Sequence, residues 1–291
     1  MTDQNSAREP WTTGMSASDR PRGQTVSVVI PVKDDDAELA RCLYALSRQS
    51  RTADEIIVVD NGSSDSSAAV AVRAGATLIR CLAPGIPAAS AEGYDRASGD
   101  LLLRLDADCI PADDWIERVC AEFAARPDVA ALTGRADFTG TPAAVGRASS
   151  VAYLLAYAAT TVPALGHLPL FGSNLAMRRE AWEDVRLRVH RDDPEVHDDL
   201  DLAFHLGERH RIGFLRGSSM HMSPRPFGSA RAFARRFHRG FRSVVIHWPR
   251  DFPPSRWRRL LRRRPLPGAR SGPRQPMRVS PGGETRSQRN P

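Results

Sequence analysis

Two carboxylates stand one residue apart in "LLLRLDADCIP", Asp106 and Asp108, where a run of leucines gives out. Aspartates at i and i+2 of an extended chain point to opposite sides, so both meet one ligand only if the strand has already turned. Hard oxygen donors this close suit Mg2+ or Mn2+, and such an ion in turn bridges the phosphates of a nucleotide. A second carboxylate, Asp60 in "VVDNGSSD", also closes an apolar run. Asn61-Gly62 makes a tight turn there and the serines can cap a helix, leaving Asp60 to accept a hydrogen bond from a nucleobase N–H. A third acidic group lies in "HDDLDLAFHL", at what reads as a helix N-terminus.

Elements that would position these groups are legible around them. "TVSVVIPV" is β-branched and uninterrupted, as expected of a parallel strand covered on both faces. The next stretch sets Leu39, Leu43 and Leu46 at helical spacing behind an acidic start. "EIIVVD" and the helix after its turn repeat the unit. "TLIRCL" and "DLLLRL" give a third and a fourth strand, with a helix around residues 88–97 between them. Alternating strands and helices predict an α/β fold with a doubly wound, mainly parallel sheet and flanking helices. Ligands of such sheets lie beyond the carboxyl ends of the strands, where Lys33 to Asp36, Asp60 to Ser64, Ala83 to Pro87 and Asp106 to Asp108 all fall.

The net charge of +7 over 291 residues conceals two opposite segments. From Arg225 onward 18 arginines face only Asp251 and Glu284, whereas the residues before it hold 23 basic against 32 acidic groups. An acidic body argues against nucleic acid as a partner, and the basic end fits an anionic membrane surface. Phe233, Phe237 and Phe241 recur at helical spacing among those arginines, and "RWRRLLRRR" from Arg256 is too dense in arginine to expect inside a core. The organisation expected is a disordered tail over 1–24, an α/β domain over 25–225, a basic amphipathic helical segment over 226–264 and a disordered tail over 265–291. Cys42, Cys81, Cys109 and Cys120 show no CxxC spacing and are expected reduced. No export signal or spanning run is visible, since Pro163 and Gly166 interrupt the apolar stretch after Ser150. A cytoplasmic protein is expected, peripheral on the inner face of the cell membrane.

Five segments, "VSVVIPVKDD", "EIIVVDNGSSD", "ASGDLLLRLDADCIP", "FGSNLAMRREAW" and "HDDLDLAFHL", in this order, resemble the family 2 glycosyltransferases of the GT-A fold over about residues 26–225. The resemblance implies transfer of a sugar from a nucleotide-sugar donor, a UDP-sugar by preference, to an acceptor hydroxyl, with inversion and a divalent metal, Mn2+ or Mg2+. By matching position, Pro31, Lys33 and Asp34 would line the base pocket and Asp60 would bind the base. Asp106 would contact ribose or metal-bound water, Asp108 would bind the metal, and His221 would be a third metal ligand. Gly172, Ser173 and Asn174 would meet the sugar, with Arg178 or Arg179 in support. Asp199 falls on the position of the catalytic base and Asp198 replaces the usual glutamate. A carboxylate there would take the proton of the acceptor hydroxyl, itself a poor nucleophile. His190, His197, His205 and His210 share no metal-ligand spacing and read as helix-face residues.

Two departures matter. Ser90 and Ala91 stand where the family often has an arginine able to hold the diphosphate, and Lys33 replaces an aromatic that many members stack on the base. Other readings are an inactive nucleotide-sugar-binding scaffold and a nucleotidyltransferase, though the latter expects a glycine-rich basic loop where "PVKDDDAEL" is acidic and glycine-free. The acceptor stays open among lipid-linked sugars, polysaccharide ends and small metabolites.

Overall fold

The computed structural model describes residues 23–138, 143–217, 220–223 and 230–262. Both expected tails lie almost wholly outside these residues, as do Arg263, Arg264 and the side chain of Phe233. Strand β1 (Val26–Val32) is buried along its whole length and pairs in parallel with β2 (Glu55–Asp60) and β4 (Leu101–Arg104), while β2 pairs with β3 (Thr77–Arg80). Beyond β4, β8 (Leu175–Arg178) runs antiparallel and is followed by β6 (Val129–Thr133) and β9 (Arg211–Phe214), so the seven-stranded order is β3-β2-β1-β4-β8-β6-β9. A second, three-stranded sheet joins β5 (Cys109–Pro111), β10 (Met220–Met222) and β7 (Asp137–Phe138).

The apolar runs are unbroken because the large sheet has two covered faces. Val26, Val28, Ile30 and Val32 enter one core with Leu39, Leu43 and Leu46 of α1 (Asp36–Ser47) and Trp115 and Phe123 of α4 (Trp115–Ala125). Val29 and Leu102 turn to the other, with Tyr94 of α3 (Ile86–Arg96), Trp182 of α6 (Arg179–Val185) and Phe204 of α7 (Asp198–Leu206). Helix α2 (Ser67–Arg73) follows the β2 turn. All four cysteines are buried and free.

Three further helices complete the fold, two of them lining the crevice. Helix α5 (Ala143–Leu165) runs 23 residues through Pro163 and stops at Gly166, in the left-handed region at φ +78°. Among the described residues no helix is long and apolar enough to cross a membrane. Helix α8 (Ala230–Val245) packs on α7 and helix α9 (Pro253–Arg262) on α5.

Arg256 departs from the sequence expectation, being fully buried. Its guanidinium donates to Leu165 O (2.6 Å), Phe204 O (2.9 Å) and Asp251 Oδ1 (2.9 Å) and lies 3.0 Å from His167 Nε2. Arginine density forecasts a solvated face, but a cation with an acceptor for each nitrogen can be buried.

Candidate active site

Strand order reverses between β1 and β4, and the crevice opens beyond their carboxyl ends as that topology requires. Its rim is made by two turns stitched together. Asp34, in the left-handed region at φ +50°, accepts Ser64 N–H (2.7 Å) and the Ser64 hydroxyl (2.9 Å), and its own N–H donates to Ser63 Oγ (3.0 Å). The Ser64 N–H, then its hydroxyl, hold the Asp34 carboxyl below its ordinary pKa. Asp60 is buried and accepts Ser63 N–H at 3.0 Å, so the next residue, Asn61, is the one that reaches the cleft surface. Asn61 donates to Ala83 O (2.6 Å) and accepts Gly85 N–H (2.8 Å), fixing the loop ahead of α3. Gly85 sits at φ +103° with an added Cβ only 2.7 Å from Pro194 Cβ, so glycine alone lets these cleft walls approach.

The floor is organised by Arg104, whose side chain is 3% exposed. Its Nη2 donates to Asp106 Oδ1 at 2.9 Å and its Nη1 lies 3.3 Å from Asp198 Oδ2. Asp106 Oδ2 accepts the Ser173 hydroxyl at 2.6 Å. Asp199 accepts Gly172 N–H (2.9 Å) on Oδ2 and Leu200 N–H (2.8 Å) on Oδ1, which fixes its carboxylate at the start of α7. A Cβ on Gly172 would fall 1.8 Å from Arg104 Nη1, so the glycine makes room for the guanidinium. Burial raises the Asp198 carboxyl above its ordinary value, with Arg104 pulling it back and Asp199 and Asp106 pushing it on.

The cleft holds about 850 Å3. Of the residues singled out in the sequence, Pro31, Lys33, Asp34, Asp106, Asp108, Gly172, Ser173, Asp198 and Asp199 line it. Asn174 does not: it is buried, its amide donates to Arg135 O (2.9 Å) and accepts the Trp115 indole N–H (3.0 Å), and it braces the core. His221 is exposed at the centre of β10, opposite Ile110 and Asp137, and is not among the lining residues. Arg178 is turned away, donating to Val129 O and Phe123 O.

Sequence reasoning gave no site role to Arg104, Asn61, His197 or Arg239, all of which line the cleft. The one local signal was Arg104 itself, a cation inside "LLLRL" with no periodicity to put it outside. Tyr153 and Tyr157 stand one turn apart on α5 and flank the Phe171 ring, each at a centroid distance of 6.4 Å. Arg239 comes from α8, held by Glu195 through Nη2–Oε1 (2.8 Å) and Nε–Oε2 (3.2 Å). The basic segment, whose sequence fits either docking on the domain or lying on a membrane, contributes Arg239 to a cleft wall.

The donor set at the end of β4 fits a hard divalent cation. Asp106, Asp108 and Cys109 offer ligand atoms within 4.8 Å of one another. Burial, reinforced by the Asp106 and Asp108 charges, pushes the Cys109 thiol well up, so it stays protonated and leaves the carboxylates as donors. Asp106 has one oxygen on Arg104 and the other on Ser173, and Asp108 lines the cleft beside it.

The sheet order and this carboxylate-lined crevice define an α/β protein of the GT-A type. Residues 27–186 match the family described as Glycosyl transferase family 2, and the chain belongs to that family. Similar sequences include glycosyltransferase AglE of Haloferax volcanii, 36% identical over 32% of this chain and 33% of the relative. An undecaprenyl-phosphate 4-deoxy-4-formamido-L-arabinose transferase of Pseudomonas paraeruginosa is 38% identical over 36% of this chain and 34% of the relative. The match spans about a third of the length of these curated relatives. Among solved structures, glucosyl-3-phosphoglycerate synthase of Mycobacterium tuberculosis, in complex with Mn2+, uridine diphosphate and phosphoglyceric acid, superposes with a TM-score of 0.52 at 20% identity, covering 77% of this chain and 79% of that one; this likeness is one of fold.

Proposed function

We propose that this chain transfers a sugar from a nucleotide-sugar donor, a UDP-sugar in the first instance, to an acceptor hydroxyl with inversion and with the help of Mn2+ or Mg2+. The observation that carries the reading is the Arg104 network, which draws the Asp106–Asp108 end of β4 and the Asp198–Asp199 start of α7 onto one cleft. Asp199 is the general base. Its carboxylate, oriented by two backbone N–H groups, takes the acceptor proton as the acceptor oxygen bonds to the anomeric carbon and the bond to the diphosphate oxygen breaks, its electron pair leaving with the diphosphate. Asp108, supported by Asp106, holds the divalent cation, which when bound offsets the charge of the leaving diphosphate. Lys33 and Arg239 are the cleft-lining cations available to the phosphates in place of the family arginine that Ser90 and Ala91 displace. Pro31, Asp34 and Asn61 surround the nucleobase.

The acceptor is read as lipid-linked, presented at the inner face of an anionic membrane. The aromatic wall of Tyr153, Tyr157 and Phe171 supports this, as do Phe237 and Phe241, exposed on the side of α8 opposite Arg239 and Ser243. Relatives named as undecaprenyl-phosphate transferases point the same way. Intact Asp108 and Asp199 weigh against an inactive scaffold.

The test is donor hydrolysis and transfer by the full chain with UDP-, GDP- and dTDP-sugars and Mn2+ or Mg2+. Asp108→Ala should abolish the metal response of UDP affinity in calorimetry. Asp199→Asn should keep donor binding and lose transfer by about 10²- to 10⁴-fold. Silence with every donor, or a near-normal rate for Asp199→Asn, would overturn the assignment.

A further inference from the structure

Four side chains from three segments of the chain converge behind the start of α7. Asp201 and His205 stand one turn apart on α7, His190 lies in the loop before it, and His247 follows α8. His190 Nδ1, His247 Nε2 and His205 Nε2 lie 2.7, 3.0 and 3.6 Å from Asp201 Oδ1, and all four ligand atoms fall within 4.8 Å of one another. Four donors about a single ion at bond lengths of about 2.0–2.1 Å would be roughly 3.3 Å apart, and the three observed distances bracket that value.

The hydrogen bonding leaves this cluster incomplete as it stands. Asp201 Oδ2 is taken by the backbone N–H of His190 at 2.8 Å, which turns Oδ1 toward the imidazoles as a one-oxygen donor. His190 Nδ1 engages that Oδ1. His205 Nε2 and His247 Nε2 are fully buried and, despite their nearness to Oδ1, neither makes a hydrogen bond of acceptable geometry. The side chains of His247 and Asp201 are each only 3% exposed. Buried imidazole nitrogens crowded on one carboxylate oxygen without a well-formed hydrogen bond demand an explanation, and a shared cation supplies it. The Phe204 ring stacks on His247 at 4.1 Å, while the His190 side chain is 33% exposed.

We propose that His190, Asp201, His205 and His247 form a structural site for a first-row transition cation of the zinc type. Three imidazoles and one carboxylate suit Zn2+ rather than Mg2+, and four protein donors close the coordination sphere as structural zinc sites do. The ion ties the end of α8 to α7. Helix α7 begins with Asp198 and Asp199, and α8 carries Arg239 and, through Ser243 Oγ, receives the N–H of His197 at 2.7 Å, so the tie sets the spacing of two cleft walls. The site is separate from the Asp106–Asp108 pair and does not depend on the proposed reaction.

The experiment uses the full chain, stripped with a chelator and titrated with Zn2+ and with Co2+ as a spectroscopic substitute, alongside Asp108→Ala, His205→Gln and His247→Gln. About one equivalent of Zn2+ should bind, survive in Asp108→Ala, raise the melting temperature, and weaken at least tenfold in either histidine variant. Co2+ should give the visible bands of a four-coordinate nitrogen and oxygen site in the wild type and in Asp108→Ala. Should the histidine variants fail to fold, those two Co2+ spectra decide. Absence of the bands, no Zn2+ bound beyond what Asp108→Ala removes, or histidine variants that bind as the wild type does would each overturn the proposal and leave a hydrogen-bonded cluster.

Discussion

Replacing Arg104 by leucine tests the centre of the site. The change removes the cation from between Asp106 and Asp198 while keeping an apolar stem in a space that is 3% exposed. Breaking a fully buried pair by deleting one partner costs about 3–5 kcal/mol, because the remaining charge is left unpaired. Here the partners keep some water, Asp198 being 16% and Asp106 35% exposed, so a loss of about 2–3 kcal/mol is expected at pH 7. For a chain of this size that is a fall of roughly 3–5 °C in melting temperature. The loss should depend on pH. Burial already raises the Asp198 carboxyl above its ordinary value of 3.8, and Arg104 is the main influence pulling it back, so the variant raises it further. A folded-state pKa above the unfolded one favours folding at low pH, and that contribution is lost as pH rises through the folded pKa. The deficit of the variant relative to wild type should therefore be largest at pH 7 and shrink as pH falls toward the ordinary carboxylate range. Urea unfolding of both proteins at pH 7 and pH 5 measures it. A variant within about 0.5 kcal/mol of wild type at pH 7, or a deficit unchanged at pH 5, would refute the electrostatic account of the cleft floor.

Two shorter predictions follow from the same geometry. Gly172→Ala sets a methyl 1.8 Å from Arg104 Nη1 and so must displace the guanidinium or the Gly172 N–H that orients Asp199; transfer should fall more than tenfold while UDP binding, measured by calorimetry, changes little. Phe237→Ser with Phe241→Ser, and separately Arg258→Glu with Arg262→Glu, change exposed residues of α8 and α9 and should reduce sedimentation with anionic vesicles in a salt-sensitive way without lowering the melting temperature; equal sedimentation of all forms would remove the membrane surface as a partner.

Much of the scaffold was legible because its signals are local. Unbroken β-branched runs report a strand with two covered faces, Asn61-Gly62 reports a turn, and the alternation of strands and helices puts the loops after β1, β2 and β4 on one edge. Asp106, Asp108, Asp198 and Asp199 could be picked out because acidic residues where apolar runs stop, or where a helix begins, are positioned by those elements alone. Only the tertiary structure decided which polar groups share a site. Arg104 meets Asp198 across 94 positions of chain, Asn174 reaches Trp115 across 59, and Arg256 meets Leu165 across 91. Helical and strand periodicity tell which face a side chain takes but not what packs against that face. So "RWRRLL" forecasts a solvated surface although Arg256 finds acceptors inside, and Asn174 resembles a sugar ligand although it braces the core. His190, His205 and His247 show no spacing because their meeting is set by the docking of α8 on α7, an event of packing between elements that no short window of sequence contains.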